Sequence, residues 1–113
     1  MGDACLRTLA QVLRAHARRV MDVAARYGGE EFALILPGMT GAEAAALAED
    51  VRRVFEQAGI EHADVGQRSV VTVSAGVAAQ VPTRNANRFD LLGAADAALY
   101  AAKGRGKNAV VLA

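Results

Sequence analysis

The chain reads as an α+β domain, with helices packed on a mainly antiparallel or mixed sheet, and three observations carry that reading. Apolar residues recur at helical spacing near the start, the middle and the end of the chain. Aliphatic and β-branched runs of strand character lie between them, and glycine or proline marks most of the junctions. The order read along the chain is α β β α β α β, the pattern of helices laid over a sheet.

The first helix starts at Asp3, read as an N-cap, and places Leu6, Leu9, Leu13, Ala17 and Val20 on one face, with Arg14, Arg18 and Arg19 mostly outside it. VAARY and FALIL, joined through GGEE, read as a β-hairpin in which Gly28 and Gly29 reach positive φ at low cost. FALIL is apolar at every position, the pattern of a strand covered on both faces. Thr40-Gly41-Ala42-Glu43 is a capping box, each side chain satisfying a backbone donor of the first turn. The helix it opens runs through Ala44, Leu47, Val51, Val54 and Phe55 and stops at Gly59. EHADVGQ is polar, SVVTVSAGVAAQ is strand-like, and TRNANR after Pro82 is a loop. A last helix from about Phe89 to Lys103 breaks in GRGK before a terminal strand in NAVVLA.

Composition narrows the function. With 113 residues, 53% hydrophobic and 22% charged, residues 1–113 make one folded domain. Thirteen basic and 12 acidic side chains leave a formal charge of +1, so no field favours DNA, RNA or an anionic membrane, and an anionic ligand has to be held locally. Cys5 is the single cysteine, which excludes a disulfide framework or thiolate cluster and fits the reducing cytoplasm; the residue is expected to pack as a small apolar group. No run reaches the ~20 apolar residues that span a bilayer, and MGDACLRTLA lacks the pattern of a secretory leader. His16 and His62 stand far apart with no ligand pattern, and neither a P-loop nor G-x-S-x-G occurs.

RYGGEEF, residues 26–32, sets two glycines and two adjacent carboxylates ahead of the apolar strand. Neighbours within a strand point to opposite faces, but at a turn Glu30 and Glu31 can converge. Two hard oxygen donors beside a side-chain-free backbone suit Mg²⁺ carrying phosphates, while a plain turn with solvated charges fits the same spacing. In ADAALYAAKGRGKN, residues 95–108, Lys103 and Lys107 lie beside a glycine-rich helix end. Cations there either complement the helix dipole or hold an anion.

RYGGEEF, LILPG, VTVSAGVA and ADAALYAAKGRGKN, in this order, resemble the GGDEF family, the bacterial diguanylate cyclase domain, in its GGEEF form. The resemblance implies a sheet like those of nucleotidyl cyclases and polymerase palms. It implies condensation of two GTP into cyclic di-GMP with release of two pyrophosphates, one GTP on each subunit of a homodimer. Glu30 and Glu31 would be the catalytic metal ligands for Mg²⁺ or Mn²⁺, with Glu30 also helping to activate the 3′-hydroxyl. Gly28 and Gly29 would let the backbone approach the nucleotide, and Lys103 and Lys107 would contact the phosphates. The family commonly has arginine at the second of these, and lysine keeps the charge but loses the fork.

Arg19-Val20-Met21-Asp22 matches the family's RxxD site for cyclic di-GMP, the product. Arginine can read guanine O6 and N7 with two hydrogen bonds, while a surface ion pair is the alternative reading of the same residues. The position of that site's second arginine corresponds to Asp50, with Arg52 and Arg53 nearby, which implies weaker feedback. Gly2-Asp3-Ala4-Cys5-Leu6 matches the GDxxL stretch whose aspartate contacts guanine. The family's first helix and strand, with a metal-binding aspartate, precede the matched stretch, so the chain corresponds to the C-terminal portion of a single GGDEF domain, truncated at the N-terminus. An exposed apolar sheet edge and no cyclase activity from these residues alone are expected. A module that binds cyclic di-GMP through RxxD without making it is the alternative function.

Overall fold

The structure is a computed structural model that describes residues 2–28, 31–64, 67–81 and 88–113. The chain runs α1 (Asp3–His16), β1 (Val23–Gly28), β2 (Glu31–Ile35), α2 (Gly41–Gln57), β3 (Glu61–Asp64), β4 (Gln67–Val70), β5 (Ala75–Val77), α3 (Arg88–Gly104) and β6 (Val110–Leu112).

α1 is capped by Gly2 and not by Asp3. Gly2 has the extended backbone of an N-cap and its carbonyl accepts the first helical bond, from Leu6 N at 3.0 Å. Asp3 is the first helical residue, its charge at the positive end of the helix dipole. Cys5, Leu9 and Leu13 form the buried stripe. The stripe ends earlier than the spacing suggests, because the helix stops at His16 and Val20 is 99% exposed. Side chains take over the terminal carbonyls, His16 Nδ1 donating to Val12 O at 2.7 Å and Arg18 Nε to Ala15 O at 2.9 Å.

β1 and β2 form the expected antiparallel hairpin, pairing Val23 with Ile35, Ala24 with Leu34, Ala25 with Ala33 and Arg26 with Phe32, with a register shift before Gly28 meets Glu31. β2 is not covered on both faces: its ends are exposed, Ile35 at 57%, and no residue in it is fully buried. Among the described residues the hairpin pairs only with itself, so within β2 Phe32 and Leu34 turn to the core, at the two-residue period of a half-covered strand.

In α2 the capping box forms in both directions, Glu43 N donating to Thr40 Oγ1 at 3.1 Å and Thr40 N to Glu43 Oε1 at 3.0 Å. Gly59, at φ +66°, follows the helix as the expected stop. Val51 and Phe55 meet the α1 stripe in the core, whereas Val54 points outward. Ala24, Phe32 and Leu34 from the hairpin and Val71 and Val73 surround that core.

The polar EHADVGQ stretch contributes a strand: β3 pairs with β4 antiparallel, because ladder bonds satisfy its backbone whatever its side chains. SVVTVSAGVAAQ therefore divides between β4 and β5. β5 pairs in parallel with β6, and α3 is the crossover between them. The described strands thus form three two-stranded ladders rather than one sheet, two antiparallel and one parallel. Among its described residues α3 buries Ala98 and Ala102, and its backbone at Ala95 and Leu99 rests on Gly76 of β5.

Candidate functional site

Glu31 opens β2, and α3 lies across from it. Asp96, Leu99, Tyr100 and Lys103 recur on one face of that helix and, with Glu31, line a cleft of about 200 Å³. Residues far apart in sequence thereby set a carboxylate and an ammonium group on one cavity. That pairing suits a metal-bound phosphate, the carboxylate toward the cation and the ammonium toward the anion.

The end of α3 is a Schellman motif. Gly106 takes the left-handed position at φ +97° and its N–H donates to Lys103 O at 3.3 Å, while Lys107 N–H donates to Ala102 O at 3.3 Å. Lys107 is exposed just beyond this cap and is not among the cleft's lining residues. Gly28 stands opposite Glu31 at the end of the ladder. Gly29 and Glu30 lie outside the described residues.

A second groove, about 340 Å³, runs between α1 and the hairpin and contains Asp3. Arg7 and Arg14 line it from α1, Arg26 and Phe32 from the hairpin. None of these arginines stands out in a reading by motif. The signal was the spacing of positions 3, 7 and 14, which share a helical face apart from the Cys5–Leu9–Leu13 stripe. The groove thus sets a carboxylate beside cationic side chains.

Arg19 and Asp22 meet in the loop after α1, away from both cavities. Arg19 Nη2 and Nε donate to Asp22 Oδ1 at 2.8 and 3.0 Å, and the backbone N–H of Arg19 donates to Asp22 Oδ2 at 3.1 Å. The Asp22 side chain is 1% exposed and that of Arg19 44%, so the carboxylate is covered while the guanidinium over it stays open. Hydrogen bonding to Arg19 holds the Asp22 carboxyl below its ordinary value and, in return, raises Arg19. Glu43 in the first turn of α2 adds a further negative field at Arg19. Arg19 Nη1 faces Gly38, where a Cβ would lie 3.9 Å away. The motif reading missed both neighbours because they come from the α2 entry. Asp50 is engaged by Arg53, and Arg52 by Glu49, Glu56 and Asn108.

A pH dependence follows. The lowered Asp22 carboxyl makes the unfolded chain bind a proton that the folded chain does not, so the pair's stabilisation is complete above the ordinary value of about 3.9 and lost as pH falls through the folded value. In urea-midpoint curves Asp22→Asn should flatten the acid limb. An unchanged limb would assign it instead to Glu43 and Glu49, which Thr40 and Arg52 lower in the same direction.

Comparison with known proteins identifies the family and the fold. Residues 1–109 match the family described as "Diguanylate cyclase, GGDEF domain". Diguanylate cyclase A of Treponema denticola is 37% identical over 98% of this chain and 29% of its own length. Response regulator PleD of Caulobacter vibrioides is 37% identical over 98% of this chain and 24% of its own length. The chain therefore spans less than a third of these relatives. Among solved structures, the GGDEF domain of DgcB from Caulobacter crescentus in complex with c-di-GMP superposes with a TM-score of 0.84 at 33% identity, covering 97% of this chain and 63% of that one. The active GGEEF domain of a diguanylate cyclase from Vibrio cholerae gives 0.80 at 28% identity, covering 97% of this chain and 67% of that one.

Proposed function

The chain belongs to the GGDEF family of diguanylate cyclases, and from that premise we propose that it serves the condensation of two GTP into cyclic di-GMP and two pyrophosphates, as the C-terminal portion of one GGDEF domain acting in a homodimer. The observation that carries this reading is the cleft shared by Glu31 and Lys103. Lys103 sets positive charge against the phosphates, where charge builds up on the leaving pyrophosphate. Asp3, in the other groove, accepts from guanine N–H groups, and Gly28 with Gly29 lets the nucleotide approach the hairpin backbone. Glu30 takes the proton of the attacking 3′-hydroxyl, and Lys107 is the second phosphate cation.

Glu31, with Glu30 next to it, would hold Mg²⁺ or Mn²⁺. The donor chemistry fits, since Glu31 and Asp96 both bring hard carboxylate oxygens to the cleft. When bound, the ion supplies charge neutralisation on the phosphates. No described helix is long and apolar enough to cross a membrane.

A second reading applies to Arg19 and Asp22, favoured by the open guanidinium held on a covered carboxylate. The pair binds cyclic di-GMP, either as feedback on synthesis or as the whole function of a sensor.

Calorimetric titration with GTP and Mg²⁺ tests the first reading. Lys103→Ala should weaken GTP about 10-fold or more, the scale of a lost charge-assisted phosphate contact, and leave GMP binding unchanged. Equal GTP affinity in the variant would remove Lys103 from the site and the reading with it.

A further inference from the structure

Lys107 and Asn108 are consecutive non-glycine residues in the left-handed region, at φ 65° and 47°. Asparagine tolerates that region, lysine much less, and such a backbone persists where its surroundings over-determine it. On the upstream side the determinant is the Schellman bond from Lys107 N–H to Ala102 O, at a residue with no exposed surface. On the downstream side it is the Asn108 side chain. Its Oδ1 accepts from Arg52 Nη1 at 2.9 Å, and its Nδ2 donates to Glu56 Oε2. Arg52 is itself fixed on α2, its Nε donating to both Glu49 oxygens at 3.0 Å and its Nη1 lying 3.6 Å from Glu56 Oε1. Beyond Asn108 the chain is tied again, Ala75 N–H donating to Ala109 O at 2.9 Å.

The two groups of Asn108 are used in complementary senses, its acceptor on a cation and its donor on a carboxylate, so the amide is specified and neither aspartate nor leucine replaces it. The network ties α2 to the residue that follows an exposed lysine. A lysine whose tip stays in solvent while its backbone is fixed from both sides gives up little backbone entropy when it binds an anion.

We propose that Arg52, Glu56 and Asn108 form a clasp that positions Lys107 for the phosphates of its ligand. The proposal rests on the reading of Lys107 as a phosphate contact and extends it to three residues that touch no ligand themselves. It also accounts for a lysine serving where a forked arginine would orient itself, since the backbone supplies the aim that the side chain lacks.

The test is a double-mutant cycle on the whole chain, with inorganic pyrophosphate as the probe and the Lys103 and Lys107 amide resonances as the readout. Asn108→Gly keeps the left-handed backbone accessible and removes the clasp. It should weaken pyrophosphate about 5- to 10-fold, as Lys107→Ala does, and adding it to Lys107→Ala should cost nothing further. A purely structural role would instead give additive losses in the double variant, and that result, or undiminished binding in Asn108→Gly, overturns the clasp. If Lys107→Ala itself leaves pyrophosphate binding intact, the reading of Lys107 fails first, and the proposal with it. Arg52→Lys, which keeps the charge and loses the fork, is the second variant should Asn108→Gly not fold, and the same pattern is required of it.

Discussion

Gly76→Ala is expected to destabilise the chain by at least the ~1–3 kcal/mol typical of an overpacked site, and to disable GTP binding with it. A Cβ at position 76 would lie 2.1 Å from Ala95 O, 2.3 Å from Leu99 N and 2.8 Å from Leu99 Cα. All three are backbone atoms of α3, so no side-chain rotation relieves the clash and the helix has to lift from β5. That helix carries Asp96, Tyr100 and Lys103 to the cleft with Glu31, so displacement widens the site as it weakens the fold. Gly93→Ala is the matched control in the same helix: nothing lies within 4 Å of its added Cβ, and removing a helical glycine should stabilise by about 0.5–1 kcal/mol. Urea midpoints of the two variants should move in opposite directions. Equal midpoints would mean that α3 does not rest on β5 at Gly76.

Arg19→Ala is expected to weaken cyclic di-GMP by about 5-fold to about 150-fold, the range of one lost bidentate guanine contact at 1–3 kcal/mol. Arg19→Lys should recover little of it, because an ammonium group keeps the charge but cannot address O6 and N7 together. Asp22 shares in the effect by fixing Nε and Nη2, which orients the guanidinium before any ligand arrives. Pairing Arg19→Ala with Asp22→Asn avoids stranding a carboxylate that is 1% exposed. Calorimetry would show the loss, and full affinity in the double variant would restore the plain ion-pair reading of RxxD.

Features written in a few consecutive residues were legible. The Thr40–Glu43 capping box, the hairpin through RYGGEEF and the Arg19–Asp22 pair each have a local cause, and each formed. The burial of β2 is not legible in FALIL because it depends on neighbouring strands, which an apolar run does not record. Nor does the sequence distinguish Asp3 from Gly2 as the cap, since Gly2 caps through its backbone with no side-chain bond. Arg7, Arg14 and Arg26 join one groove only after α1 packs on the hairpin, and Arg52 meets Asn108 only across the fold. Lys103 and Lys107 look like equivalent cations in AAKGRGKN, yet the Schellman turn at Gly106 separates them, one in the helix facing Glu31 and one beyond it.

On the proposed function, the Glu31–Lys103 cleft and the Arg19–Asp22 pair are two separate guanine-nucleotide sites. The direct measurement is a crossed titration of the whole chain, GTP with Mg²⁺ added in the absence and presence of saturating cyclic di-GMP. Both ligands are expected to bind together, with Lys103→Ala weakening only GTP and Arg19→Ala only cyclic di-GMP. Mutual competition between the two, or one substitution weakening both ligands equally, would contradict it.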